Sequence, residues 1–137
     1  MEKLVGTCMM VSGSVHGLVT QEHFNVWWGY GVFFLVSSIG LIGFGLALFT
    51  DAIDPRYTPG NVRRLRWWMY LACLAGNIGL IALYVVTRTI GIPLGPGSGS
   101  VETVGGPDVI AKLTEGVAVV GLVVLLMKTW GTTDTRV

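Results

Sequence analysis

Two histidines and two carboxylates lie where helix ends are expected, and together they could bind a divalent metal. His16 and His23 precede the second apolar run, and Glu102 and Asp108 lie between the third and fourth. Imidazole nitrogen and carboxylate oxygen are ligands of zinc and copper. The pattern is weak, because the histidines are not at i, i+4 spacing and no HExxH or CxxC motif occurs. A copper or zinc site is therefore one interpretation, and a salt-bridged structural network or a docking surface is the other.

Five more polar residues fall in or beside apolar runs and are predicted to form a structural cluster with these four: Glu22, Asn77, Arg88, Lys112 and Glu115. Asp108, Lys112 and Glu115 share one helical face. Glu115 lies about 10 Å along the helix from Asp108, where an unpaired carboxylate costs several kcal/mol. We expect it to face the bundle and meet Lys112, Arg88 or His16.

The composition indicates a membrane environment for the elements that carry these residues. Hydrophobic residues make up 52% of the 137 positions and charged residues 12%, about half the charged share of a soluble domain. The mean hydropathy is +0.67, and the apolar residues form long runs rather than amphipathic stripes. No basic patch interleaved with aromatics suggests nucleic acid as a partner.

The runs predict an all-α membrane protein, a single transmembrane domain of four helices with an ordered outer loop. The helices are expected at about 4–20, 28–50, 67–88 and 108–130, with loops at 51–66 and 91–107. The first run is short and follows a charged start, as in a signal peptide. Thr7 ahead of Cys8 makes a poor lipoprotein processing site, so we interpret the run as a retained helix.

Basic residues give the orientation. Four spans place seven lysines and arginines on one side, namely Lys3, Arg56, Arg63, Arg64, Arg66, Lys128 and Arg136, and leave Arg88 and Lys112 on the other. By the positive-inside rule, both termini and the loop 51–66 are cytoplasmic, and the loop 91–107 faces outward. The predicted location is the plasma membrane.

Small residues predict where the helices pack, because lipid supplies little drive for helix association. Gly13 and Gly17 form a GxxxG pair, Ala72/Gly76 and Ala75/Gly79 are similar pairs, and Ser37, Gly40 and Gly43 line the second run. These faces predict packing inside one bundle, or a dimer interface. Asn77 needs a partner across a helix contact. Cys8 and Cys73 are interpreted as apolar packers, with an interhelical disulfide as the alternative.

The loop 91–107 reads GIPLGPGSGSVETVGGP, and its glycines and prolines exclude a regular helix. A flexible linker is one interpretation. We expect instead a folded cap over the bundle, because four apolar residues could anchor it: Ile92, Leu94, Val101 and Val104.

Two stretches, HGLVTQEHFNVWWGYGVFF and GNIGLIALYVVTRTIGIPLGPGSGSVETVGGPDV, cover about two fifths of the chain. Through them the chain resembles a family of small, uncharacterised bacterial membrane proteins with four helices. The resemblance implies a pattern of shared residues at the outer face and no particular reaction. Relatives often carry glutamine in the second helix, where this chain is apolar around Gly40.

Three functions follow as hypotheses. The first is a non-enzymatic accessory subunit of a larger membrane complex, of respiratory or photosynthetic type, with lipids and other membrane subunits as partners. The second is a metal- or small-ligand-binding protein of the outer leaflet, for which a bound lipid is a further candidate. The third is a small transporter or an enzyme acting on lipid, with Glu115 as the acid or base.

Overall fold

The structure, a computed structural model, describes residues 1–53 and 62–131, with the side chains of residues 63 and 130 excepted. Within these ranges the chain is all-helical, as predicted, and has four helices: α1 (Glu2–Val26), α2 (Trp28–Phe49), α3 (Val62–Thr89) and α4 (Gly106–Gly131). Two predicted limits are wrong, because α1 continues past residue 20 to Val26 and α3 begins at Val62 rather than residue 67. Arg56, Arg136 and most of the predicted loop 51–66 lie outside the described residues.

Three of these helices are long and apolar enough to cross a membrane, over Trp28–Phe49, Arg64–Thr89 and Gly106–Thr129. In the most apolar stretch of each helix, only 22%, 22% and 33% of the residues, respectively, are buried inside the protein. Most of their apolar side chains therefore face outward, which a water-soluble domain of this size rarely tolerates. Such a surface is typical of a membrane protein.

Helix α1 is not among the three, and its position explains its lower hydropathy. It packs against both α2 and α4, so it needs small and polar residues on the faces that touch them. At Gly6 an added Cβ would lie 2.5 Å from the carbonyl oxygen of Gly45, and at Gly13 it would lie 2.9 Å from the Cβ of Leu41. The glycines therefore let the α1 and α2 backbones approach closely.

Around the bundle the helices follow the order α2, α1, α4, α3, and α2 barely touches α3. The predicted packing of small residues inside the bundle holds for Gly13 and Gly17, which face Ser38 of α2. It is wrong for Gly40, Gly76 and Gly79, because a Cβ added at any of them would meet no atom within 4 Å. These three glycines border an open groove.

The core is apolar and is shared by all four helices: Val5, Met9, Leu41, Leu48, Met69, Tyr70, Cys73, Ala118, Leu122 and Leu125. Cys8 and Cys73 are both free, so the disulfide alternative is excluded. At the end of the bundle near the N-terminus, Arg66 pairs with Glu2 and with Asp51, the latter at 3.0 Å. This pairing joins the ends of α1, α2 and α3.

Replacing Gly6 with alanine should destabilise the protein by about 1–3 kcal/mol, because the new methyl group collides with the α2 backbone. Gly40→Ala is the matched control, since its methyl group would enter open space. Thermal unfolding in detergent micelles would measure both. Equal melting temperatures for the two variants would contradict the close α1–α2 packing.

Candidate functional site

Glu115 of α4 is fully buried, and both of its carboxylate oxygens have partners. Oε1 accepts hydrogen bonds from Ser12 Oγ at 2.8 Å and from His16 Nε2 at 3.0 Å, and both donors are on α1. Oε2 accepts a hydrogen bond from Lys112 Nζ at 2.5 Å. The structure thus gives Glu115 two of its three expected partners, Lys112 and His16. It adds Ser12, which the sequence analysis missed although Ser12 lies one helical turn before His16.

This pairing assigns the tautomer of His16. A carboxylate only accepts hydrogen bonds, so the His16 proton lies on Nε2. When the ring carries only this one proton, its Nδ1 is an acceptor. Nδ1 is buried and has no hydrogen-bond partner among the described residues.

Arg88 joins the end of α3 to the α3–α4 loop and to the start of α4. Its guanidinium pairs with Glu102, and its Nη2 lies 2.8 Å from Asp108 Oδ2. Asp108 also accepts the backbone N–H of Gly105 at 2.8 Å, which caps α4. Arg88 Nε is buried and has no partner within the described chain.

His23 is held apart from these pairs. Its Nδ1 donates to the carbonyl oxygen of Val19 at 2.8 Å, and its ring stacks on Phe34 with centroids 3.7 Å apart. The four candidate metal ligands are thus in three settings: His16 on Glu115, His23 on Phe34, and Glu102 with Asp108 on Arg88. Over residues 1–53 and 62–131, no group of three or more His, Cys, Asp or Glu side chains is placed to hold a metal ion.

A cavity of about 690 Å³ lies among these groups at one end of the bundle, and all four helices and the α3–α4 loop contribute to its wall. Five aromatic rings line it, from Trp27, Tyr30, Phe33, Phe34 and Tyr84. Its polar lining combines the predicted residues of the metal site and cluster: His16, Glu22, His23, Arg88, Glu102, Asp108 and Lys112. The structure therefore brings these seven residues around one partly open space rather than to one metal ion, while Glu115 and Asn77 do not line it.

The α3–α4 loop folds back over this cavity and is held through Tyr30. The Tyr30 hydroxyl donates to the carbonyl oxygen of Leu94 at 2.6 Å and accepts the N–H of Gly97 at 3.3 Å. Gly95, with a φ of +90°, passes so close that a Cβ there would lie 2.5 Å from the Tyr30 oxygen. The apolar anchors predicted for the loop are wrong in three cases, since Leu94, Val101 and Val104 are more than half exposed.

A second space, of about 420 Å³, lies in the groove between α2 and α3 and is lined almost entirely by apolar residues. Asn77 borders it. The Asn77 Nδ2 donates to the carbonyl oxygen of Cys73 at 2.8 Å on its own helix, and its Oδ1 is buried with no partner in the described ranges. The partner expected for Asn77 on another helix is therefore not found there.

In comparisons with protein-family models, with curated proteins and with solved structures, nothing matches this chain. The resemblance to small bacterial membrane proteins stays a prediction. The cavity and the residues that line it are therefore the basis for a functional proposal.

Replacing Lys112 with methionine should destabilise the protein by about 3 kcal/mol, because the buried Glu115 loses its only cationic partner among the described residues. The double variant Lys112→Met/Glu115→Gln should recover part of the loss, since the buried group is then neutral. Lys128→Met, at an exposed position of the same helix, is the control.

Thermal unfolding of the purified variants in micelles would measure these effects. If Lys112→Met is as stable as Lys128→Met, the ion pair does not stabilise the bundle.

Proposed function

We propose that this protein is a membrane protein that binds a small organic ligand in the 690 Å³ cavity at one end of its helix bundle. One observation carries the proposal: all four helices and the α3–α4 loop bring five aromatic rings and seven histidine, acidic or basic side chains around this one cavity. A concave wall that combines aromatic rings with a few polar groups is typical of a site for a small organic molecule.

The wall of the cavity supports an organic ligand better than a metal ion. Ligand sites are concave, mostly apolar and aromatic, and carry a few placed polar groups. Here aromatic rings alternate with paired charges, and the oxygens of Asp108 and Glu115 already accept hydrogen bonds from basic or backbone groups. The wall of the cavity therefore favours binding of an organic ligand over binding of copper or zinc.

We further propose that α1 crosses the membrane with the other three helices. It runs along α2, contacting it near the end of α2 through Gly6 and near the start of α2 through Phe24, which lies against Gly31. Its 25 residues extend over about 37 Å. The positive-inside rule then places the cavity and the α3–α4 loop outside and both termini in the cytoplasm of a bacterial cell.

The accessory-subunit hypothesis stays a prediction. The apolar surface of α2, α3 and α4 is explained equally by lipid and by neighbouring subunits. A stoichiometric protein partner after purification in mild detergent would favour it. The transporter or lipid-acting enzyme ranks lower, because Glu115, its proposed acid or base, has both oxygens engaged.

Filling the cavity should expel the ligand. Val19 is half-buried and lines the cavity, whereas the adjacent Leu18 is 81% exposed on another face of α1. Wild-type protein and Leu18→Trp, purified in mild detergent and extracted with organic solvent, should release one small molecule at near 1:1 ratio, and Val19→Trp should release much less. Mass spectrometry of the extracts would measure this. Extracts that do not differ between the two tryptophan variants would argue against the proposal.

The orientation can be tested by labelling single cysteines with a membrane-impermeant maleimide in a background with Cys8→Ala and Cys73→Ala. We expect Gln21→Cys and Ser98→Cys, both at exposed positions, to react in intact cells. Lys3→Cys should react only after permeabilisation, because α1 would place it on the other side. Reaction of Gln21→Cys and Ser98→Cys from opposite sides would show that the cavity does not lie at one membrane face.

A further inference from the structure

The ionisable side chains around the cavity carry more negative than positive charge. Its two basic lining residues, Arg88 and Lys112, are both engaged, by three carboxylates between them. Glu22 adds a fourth carboxylate to the wall and has no hydrogen-bond or ion-pair partner among the described residues. The two histidines of the wall, His16 and His23, add no formal charge in their neutral form. The imbalance attracts a positively charged ligand and repels an anion.

Aromatic rings in the same wall also favour a cation, because the face of an aromatic ring attracts positive charge. Trp27 and Tyr30 both line the cavity, and their rings are almost perpendicular, at 79°, with centroids 5.0 Å apart. Tyr84 already attracts cations of the protein itself. The guanidinium carbon of Arg88 lies 4.8 Å from the centre of its ring, and Lys112 Nζ lies 5.4 Å from it.

The apolar part of the wall indicates an organic cation rather than a metal ion. Val15 and Val19 of α1 and Leu80 and Leu83 of α3 line the cavity beside the aromatic rings. A metal ion needs several converging oxygen, nitrogen or sulfur ligands, and the described parts of the chain place no group of three such side chains together. Apolar groups around a positive charge would instead find matching surfaces on these residues.

We propose that the ligand is a lipophilic organic cation, with its positive charge near Glu22 and its apolar groups against the aromatic and aliphatic side chains of the wall. Ammonium and phosphonium ions that carry bulky apolar groups have this chemistry. The inference rests on the proposed function and assigns the class of ligand that the cavity takes.

Equilibrium dialysis of tetraphenylphosphonium against the full-length protein in micelles of a neutral detergent would test the inference. Tetraphenylborate is the second probe, because the two ions have similar size and shape and opposite charge. With binding to protein-free micelles subtracted, we expect the phosphonium to bind roughly tenfold or more tightly than the borate. Val19→Trp, which fills the cavity, should abolish binding of the phosphonium, and Leu18→Trp should retain it.

Moving one carboxylate by a single position tests where the positive charge lies. Glu22→Gln should weaken binding of tetraphenylphosphonium about fivefold, the effect of one exposed ion pair. The double variant Gln21→Glu/Glu22→Gln keeps the net charge of the protein but places the carboxylate on a residue that does not line the cavity. Both positions are exposed on α1, so neither change disturbs the core. The double variant should bind as weakly as Glu22→Gln.

Two adjacent tryptophans test the aromatic wall. Trp27 lines the cavity, whereas Trp28 is 67% exposed and does not line it. Trp27→Leu should weaken binding of tetraphenylphosphonium about tenfold through the loss of one cation–π contact. Trp28→Leu is the matched control and should bind as wild type does. Melting temperatures in the same micelles would show that both variants are folded.

Four results would overturn the inference: equal affinities for the phosphonium and the borate, wild-type affinity of the double variant Gln21→Glu/Glu22→Gln, equal affinities of Trp27→Leu and Trp28→Leu, and no binding of the phosphonium at all. The proposed function can fail or stand separately. A neutral or anionic molecule that is present in Leu18→Trp extracts and missing from Val19→Trp extracts would leave the proposed function standing and exclude the cation.

Discussion

The buried carboxylate of Glu115 is the constraint on which the arrangement of this bundle depends. A charged group that no water reaches must be paired on every side. Lys112 supplies one partner from the same helix, and Ser12 and His16 supply two from α1. Because Ser12 and His16 lie one turn apart on one face of α1, they fix how α1 is rotated against α4. The same rotation puts His16 in the wall of the cavity.

The second constraint is the position of the small residues, which determines which helices pack closely. The glycines of α1 and two positions of α2, Ser38 and Gly45, bring those two helices into close contact. α3 is held by α4 and by the ion pairs at its two ends, on Arg66 and Arg88, rather than by α2. The bundle is therefore closed on three sides and open on the fourth, where Phe33, Leu80 and Leu83 line both the groove and the polar cavity.

The length of the apolar runs predicted the helical fold, because a run of about 20 apolar residues is typical of a transmembrane helix. The position of Glu115 within such a run was enough to predict that it would be paired. The sequence could not show that Glu102 and Asp108 turn towards Arg88 while His23 turns towards Phe34. Those directions depend on how the helices are rotated and where the loop folds.

Tyr30 and Gly76 are two further residues whose contacts could not be predicted from the sequence. Nothing in the sequence around Tyr30 indicates a loop contact, and only the folded loop reveals that its hydroxyl holds the backbone at Leu94 and Gly97. A glycine such as Gly76 predicts close helix contact in a membrane. Here the contact is missing, because α1 rather than α3 lies against α2.

The open side between α2 and α3 determines how a bound molecule would exchange. The gap extends along the helix axes instead of facing only the bundle end, so a lipid-soluble molecule would arrive by sideways diffusion within the bilayer. Occupancy would then follow the mole fraction of that molecule among the surrounding lipids and not its concentration in water. Dilution with inert lipid would empty such a site, while dilution with buffer would leave it filled.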